Sequence, residues 1–308
     1  MRKVAVVTTG FFDGVHLGHR HVLSAVVSSA RERGEEAVVV TFWPHPRTVL
    51  QQDAREFRIL TSLEEKKALL AAAGIDRVEV LPFTRAFAAL TAREYLQLLR
   101  DKYDASLVVM GYDNRIGSDK LTASEIGVSQ AVAPRPLPTS LRSVGPLPFT
   151  WPRAARVSGD SNAPVISSTK IRNALQEGRV EEANAMLGYR YGLYGAVVAG
   201  NQLGRTMGFP TANMQLYEPL KLVPANGVYA VEAEVLGTTY KGMCNIGMRP
   251  TVGGASRTIE AHILDFDQDI YGLPLRIRFL RRIRDERRFP SLDALREQLT
   301  LDALNCKK

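Results

Sequence analysis

Residues Gly10–His19 read GFFDGVHLGH and follow directly on an apolar run, Val4–Val7. A buried strand, a glycine-rich turn, two histidines and a helical run form an order suited to seating a nucleotide triphosphate. Gly10 and Gly14 permit a tight turn, and Gly18 permits close approach of the backbone to a ligand. A helix opening near Leu17 adds unpaired N–H groups and the positive end of its dipole. His16 and His19, three residues apart, are expected on one helical face, where both can donate to the same phosphate oxygens. The plainer alternative is a strand-to-helix turn with surface histidines, but the GFFDGV run at a strand end favours a site.

Three further stretches carry suitable chemistry. ISSTKIR, Ile166–Arg172, precedes a short helix ending near Gly178. Ser168 or Thr169 is expected to cap that helix, while Lys170 and Arg172 place cations in its first turn, against the dipole and toward an anion. In TFWPHPR, Thr41–Arg47, His45 stands between two prolines that deny it a helical or ladder role, leaving a binding loop or a structural one. GNQLGRTMGFPTAN, Gly200–Asn213, combines three glycines with Arg205, and its Thr211 and Asn213 place two oxygens on one side of an extended chain. Such oxygens suit Mg²⁺ completed by phosphate and water; a hairpin turn with a proline kink is the alternative. Glu260 lies in an apolar alternating strand and either faces solvent or points into the mouth of a barrel, where it could accept a hydroxyl proton.

The elements that must hold these residues fall into two textures. Up to about residue 110, β-branched runs at Val38–Phe42, Val78–Leu81 and Leu107–Met110 alternate with helical stretches near 17–33, 63–73 and 92–102. Ser62…Glu65 and Thr91…Glu94 are capping-box patterns. The alternation predicts a doubly wound α/β domain with parallel strands and a ligand crevice at their carboxyl ends, near Gly10, Thr41 and Gly111. From about residue 190, period-two runs such as Val228–Ala233, Ile259–Leu264 and Leu275–Phe279 predict a small antiparallel barrel. A closing helix follows from Ser291, with Leu292, Leu295, Leu299 and Leu304 broadly along one face. Val180–Leu187, stopped by Gly188, reads as a linking helix, so domains 1–182 and 183–308 are expected. Residues 121–165 hold seven of the sixteen prolines without clear period and predict a long irregular loop.

Two cysteines, Cys244 and Cys306, offer neither a disulfide framework nor zinc-ligand spacing, which fits a reducing cytoplasm. No run approaches membrane-spanning length. The net charge is +8, part of it in Arg276–Arg288 with seven arginines against two acids. Without an RNA-binding module pattern, and with aromatics at 7%, phosphorylated metabolites are expected as partners rather than nucleic acid.

In this order, GFFDGVHLGH, TFWPHP, GYD at 111–113, SSTKIR, GRTMGFPTAN, PANGVYAV, NIGMRPT and IEAHILDFDQDIYG resemble the bacterial bifunctional riboflavin kinase/FMN adenylyltransferase (FAD synthetase) family, over most of the chain. The resemblance implies an N-terminal nucleotidyltransferase domain and a C-terminal six-stranded kinase barrel, with riboflavin, FMN, FAD and ATP as substrates and products. It implies that Glu260 is the kinase base, that Thr211 and Asn213 hold Mg²⁺, that Gly204 and Arg205 cradle ATP and that Arg284 approaches the flavin. For adenylyl transfer it implies Gly10, Phe12, Gly14, His16, His19, Ser168, Thr169 and Arg172 around ATP, with His45 and Asp113 on the flavin side. The family usually has aromatic residues where Asn114 and Ile116 stand, and a regular helix and strand after Lys120. Residues 121–165 supply neither, whether as a lineage-specific loop or as a segment read in a shifted frame. The alternatives are a kinase with an impaired adenylyltransferase domain, or a flavin-sensing or RNA-binding regulator.

Overall fold

The structure, a computed structural model, describes residues 3–50, 57–111, 115–122, 125, 149–150, 166–200, 204, 207–251 and 254–307. By its internal contacts the chain divides into two compact units, Met1–Ser167 and Ser168–Lys308. Most of the irregular stretch expected at 121–165 lies outside the described residues.

The first unit runs β1 (Ala5–Thr9), α1 (Leu17–Arg33), β2 (Glu36–Trp43), α2 (Pro46–Leu50), α3 (Leu63–Ala72), β3 (Arg77–Pro82), α4 (Arg85–Ala88), α5 (Ala92–Tyr103), β4 (Ala105–Val109) and β5 (Phe149–Thr150). The strands pair in parallel in the order β3-β2-β1-β4-β5. Alternation of side chains across the pleat splits the core into two layers. Val7, Val38, Val40 and Val108 pack with Tyr95 and Leu99 of α5. Val6, Ala37, Val39 and Val109 pack with Leu23 and Val26 of α1 and Leu70 of α3. Helices thus cover both faces, as the alternation predicts. Both capping boxes close, Ser62 with Glu65 and Thr91 with Glu94. Strand order reverses beside β1, and the crevice of a doubly wound sheet opens at such a switch point. Gly10 follows β1 there, whereas Thr41 lies inside β2, which runs on to Trp43, rather than at its end.

The second unit opens with α6 (Ser168–Gln176) and α7 (Val180–Leu187). A barrel of β6 (Gly192–Val198), β7 (Ala212–Leu216), β8 (Gly227–Val235), β9 (Thr238–Thr251), β10 (Gly254–Ile263) and β11 (Pro274–Arg284) follows, then α8 (Leu292–Lys307). The barrel closes in the order β10-β7-β6-β11-β8-β9, with antiparallel ladders throughout. Closure leaves no open edge. The expected change of domain at 182/183 falls inside α7, later than the division by contacts. Asn184 of α7 accepts from the Tyr191 N–H and donates to the Phe279 carbonyl, and Ala225 N–H donates to Leu175 O of α6. Both helices therefore pack on the barrel.

The apolar face of α8 differs from the one the leucines suggest. Leu292 and Leu304 are exposed, while Leu295 and Leu299 are half-buried and Asp302 and Cys306 are buried. The cause is phase: Leu304 lies about two and a half turns beyond Leu295, on the opposite side. A carboxylate occupies the inward stripe between Leu299 and Cys306.

Candidate active sites

In the first unit, the turn after β1 is strained. Phe12 and Val15 take φ of 51° and 37°, and Gly14 takes 83°; a β-branched residue at positive φ is a costly conformation that the surroundings must enforce. Asp13 supplies much of that enforcement. Its buried carboxylate accepts from Leu60 N (2.9 Å), Thr61 N (3.1 Å) and Thr61 Oγ1 (3.3 Å), and Gly14 N donates to Thr61 Oγ1 at 3.1 Å.

His16 does not share a helical face with His19 as expected. It is the N-cap of α1, with extended backbone (φ −66°, ψ 171°), and its Nδ1 accepts from His19 N at 3.2 Å. The two rings nevertheless stack, 3.6 Å apart and 14° from parallel. Gly18 serves that arrangement, since a Cβ there would lie 3.1 Å from the His16 ring; it makes room for the histidine. Phe12 meets His19 edge-on at 5.3 Å. Burial, then His16 and Lys66, hold His19 well below the usual imidazole range, in its neutral form. Its Nδ1 is buried without a hydrogen-bond partner among the described residues, a polar atom that a ligand would satisfy.

His45 ends the extended stretch after β2 and caps α2. Its Nδ1 accepts from Arg47 N at 3.0 Å, and its carbonyl accepts from Thr48 N and Oγ1. The prolines therefore do not keep it from a helix terminus, because Pro46 is tolerated as a first helical residue. The His45 ring sits 3.9 Å from Phe11 and 4.2 Å from Phe57. Ser168, Thr169 and Arg172 open α6 in the second unit; the helix starts at Ser168, so Ser168 and Thr169 are helical residues rather than its cap. Asp113 lies outside the described residues. Ile116, where the family has an aromatic residue, is core: it packs against the α5 layer.

In the second unit, β-register assembles a belt around one end of the barrel. Asn213 of β7 pairs with Glu260 of β10, Glu260 with Asn245 of β9, Asn245 with Val228 of β8, and Val228 with Arg284 of β11. Directly opposed residues share a face of the sheet, and all five line one cavity of about 320 Å³ with Thr211, His262, Glu286 and Phe289. Of the two positions open to Glu260, the structure selects the mouth. Thr211 and Asn213 line the same cavity. Gly204 O accepts from both Met207 N and Phe209 N. A Cβ on Gly204 would lie 2.2 Å from Phe209 O, and one on Gly200 would lie 2.0 Å from the Asn213 amide. His262 Nδ1 bonds to Pro210 O at 2.8 Å and anchors the turn. Arg205 lies outside the described residues.

Arg284 reaches the same cavity with its guanidinium engaged. Nε (2.9 Å) and Nη2 (2.7 Å) meet Asp302 Oδ2 of α8, and Nη1 donates to Asp285 O. Gln298 Nε2 donates to Asp302 Oδ1 at 2.7 Å.

Sequence reasoning missed Asn245, His262, Asp302 and Lys66. Lys66 had a legible signal: four residues before buried Leu70, it stands on the inward stripe of α3. Asp302 had a similar one, lying between Leu299 and Cys306. His262 had one too, lying two residues from Glu260 and so on the same side of its strand; Asn245 had none, because register alone brings it to the mouth.

A riboflavin kinase family profile matches residues 187–308, and a FAD synthetase profile matches residues 1–131. The bifunctional riboflavin kinase/FMN adenylyltransferase of Bacillus subtilis (strain 168) is 36% identical over 301 residues, 97% of this chain and 90% of that one. The protein of the same description from Escherichia coli (strain K12) is 36% identical over 309 residues, 98% of this chain and 92% of that one. A crystal structure from Streptococcus pneumoniae, described as a macrolide-efflux protein, superposes with a TM-score of 0.85 at 33% identity, covering 99% of this chain and 94% of that one. No helix among the described residues is long and apolar enough to cross a membrane. With a FAD synthetase region before a riboflavin kinase region, and relatives at this identity along nearly its whole length, the chain belongs to the family of bifunctional riboflavin kinase/FMN adenylyltransferases.

Proposed function

We propose that the barrel phosphorylates riboflavin at the Glu260 belt and that the α/β unit adenylylates the resulting FMN at the His16–His19 turn. The observation that carries the first half is the register row Asn213–Glu260–Asn245 across three adjacent strands, facing a cavity that Arg284 and Phe289 also line. Glu260 takes the proton of the terminal ribityl hydroxyl as its oxygen attacks the γ-phosphorus of ATP; ADP leaves and FMN remains. Thr211 and Asn213 fit Mg²⁺: they are two neutral oxygen donors that line one cavity, and the remaining shell would come from phosphate and water. When bound, the ion neutralises charge on the phosphate oxygens.

Two cavities meet at Thr211. The larger has Met207, Phe209, Met243 and Leu295 in its walls, an apolar surface suited to the flavin ring. The second, about 240 Å³, runs past Val197, Ala261, Ile270 and Tyr271 and suits a nucleobase.

In the adenylyl step the FMN phosphate, already ionised at neutral pH, attacks the α-phosphorus of a second ATP and releases pyrophosphate, giving FAD. The protein must hold two anions together and stabilise charge on the leaving group. His16 and His19 with Gly10, Phe12 and Gly14 suit that task in the first unit. Family likeness assigns Ser168, Thr169 and Arg172 to ATP, and His45 and Asp113 to the flavin. The arginine run supports an enzyme over a nucleic-acid binder. Arg276 and Arg278 meet Glu234, Arg281 meets Asn305 O, Arg282 meets Asn226 O and Arg284 meets Asp302, so five of the seven arginines make contacts inside the barrel unit. The two buried free thiols suit a reducing cytoplasm.

Glu260→Gln tests the assignment. FMN formation is expected to fall by about 10²-fold or more, while conversion of supplied FMN to FAD persists. A well-folded variant that loses both activities, or keeps the kinase, overturns it.

A further inference from the structure

Beneath the strained turn of the first unit sits a cation that neither half of the proposed mechanism uses. Lys66 of α3 has no solvent exposure. Its Nζ lies 3.6 Å above the Phe11 ring and 5.8 Å from the Trp43 ring. It donates to Thr41 Oγ1 at 3.3 Å, and Thr41 Oγ1 in turn donates to Phe11 O at 3.2 Å. Phe11 itself packs against His45. Lys66 thus holds both the ring and, through Thr41, the carbonyl of a residue in the GFFDG turn.

This is an expensive place for an ammonium. No ion pair to Lys66 occurs among the described residues, and its hydrogen-bond partner is a neutral hydroxyl. Burial pushes its pKa down to about 8, against the pull of Asp13 in the turn. The charged and titratable groups that face it among the described residues are Asp13 of the turn and His19 of α1, whose own protonation Lys66 disfavours. A methionine would fill the same apolar slot without the desolvation cost. Stability gives no reason to keep a lysine there. Charge behind an anion seat does, since a fixed cation in a dry interior acts on charge that develops in front of it.

We propose that Lys66 is a positioning residue of the adenylyl-transfer site: sealed under the phosphate-binding turn, it locks Phe11 and Thr41 in place and sets a fixed positive charge behind the polyphosphate. It acts through the turn and through the field, without touching substrate. The inference rests on the assignment of the His16–His19 turn to adenylyl transfer.

The experiment uses the full chain, with supplied FMN and MgATP, and follows FAD and pyrophosphate; riboflavin phosphorylation by the same preparation reports that the protein is intact. Lys66→Met is expected to lower kcat for FAD formation about tenfold or more, with a smaller change in KM for FMN. Its kinase turnover stays within about twofold and its melting temperature is unchanged or raised. Wild-type kcat/KM for FAD formation, which reports the free enzyme, should decline as pH rises through about 8, while kinase kcat/KM shows no such limb. Lys66→Arg, which keeps its charge at every pH, should recover much of the lost turnover and abolish that limb. An unchanged kcat and pH profile in Lys66→Met overturns the proposal, as does a melting temperature lowered in step with the activity. Should Lys66→Met not fold, a wild-type profile without the alkaline decline overturns it equally. His19→Ala in the same assay separates the two levels. If it leaves FAD formation intact, the site assignment fails; if it abolishes FAD formation while Lys66→Met does not, only the role of Lys66 fails.

Discussion

Asp302 and Lys66 are both fully buried charges, and opposite logic keeps them. Asp302 is paired: Arg284 bonds to one of its oxygens and Gln298 to the other, and the pair holds the guanidinium at the belt that includes Glu260. Removing one partner of such a pair strands the other. Asp302→Ala should therefore destabilise the barrel unit by about 3 kcal/mol in urea unfolding and raise KM for riboflavin, because Arg284 loses its orientation. Lys66 is held by a hydroxyl and a ring face, and its charge costs stability. The sign follows from the shift. Its folded pKa of about 8 lies below the unfolded value, so between those two pH values the unfolded chain binds more protons. This group's contribution to stability therefore rises with pH across that window. Lys66→Met should flatten that part of the stability–pH curve of the first unit, as measured by thermal melts at stepped pH.

At the scale of elements, helix termini and strand register do most of the positioning. α5 begins with Thr91 Oγ1 accepting from Glu94 N while the Glu94 carboxylate accepts from Thr91 N–H and Oγ1–H. These bonds hold the Glu94 carboxyl below its usual range. Thr91→Ala should cost about 1 kcal/mol in urea unfolding of the first unit. Both capping boxes were legible because the pattern is local: four residues that satisfy one another. The end of β2 was less legible. Thr41 was expected at the carboxyl end of a strand, but its hydroxyl sits between Phe11 O and Lys66, two residues inside β2. The α8 stripe failed for a related reason. Counting leucines finds an apolar face, and an ion-paired Asp302 is invisible to that count.

At the scale of the whole molecule, α6 and α7 belong by contact with the barrel, although the sequence pattern assigned the chain up to residue 182 to the first domain. Val180, Ala183 and Leu187 of α7 are fully buried, and Asn184 stitches α7 to Tyr191 and Phe279. A fragment of residues 168–308 should therefore melt well above one of residues 183–308 and should phosphorylate riboflavin. Equal melting temperatures would place the functional boundary at 182/183 after all. Circular dichroism and an FMN assay on the two fragments decide between them.

The linear chain alone specified the alternating and period-two textures, hence a parallel sheet followed by a barrel. It also marked the Gly10–His19 turn and the Thr211–Asn213 oxygens, because glycines, prolines and hydrophobic period act over a few residues; Glu260 and Arg284 stood out by family resemblance. Tertiary structure decided what depends on distant partners. It chose the side to which Glu260 points, it placed Arg284 opposite Val228 in the β8–β11 register, and it sealed Lys66 beneath Phe11. Burial and register are sums over the whole fold, and no local pattern contains them.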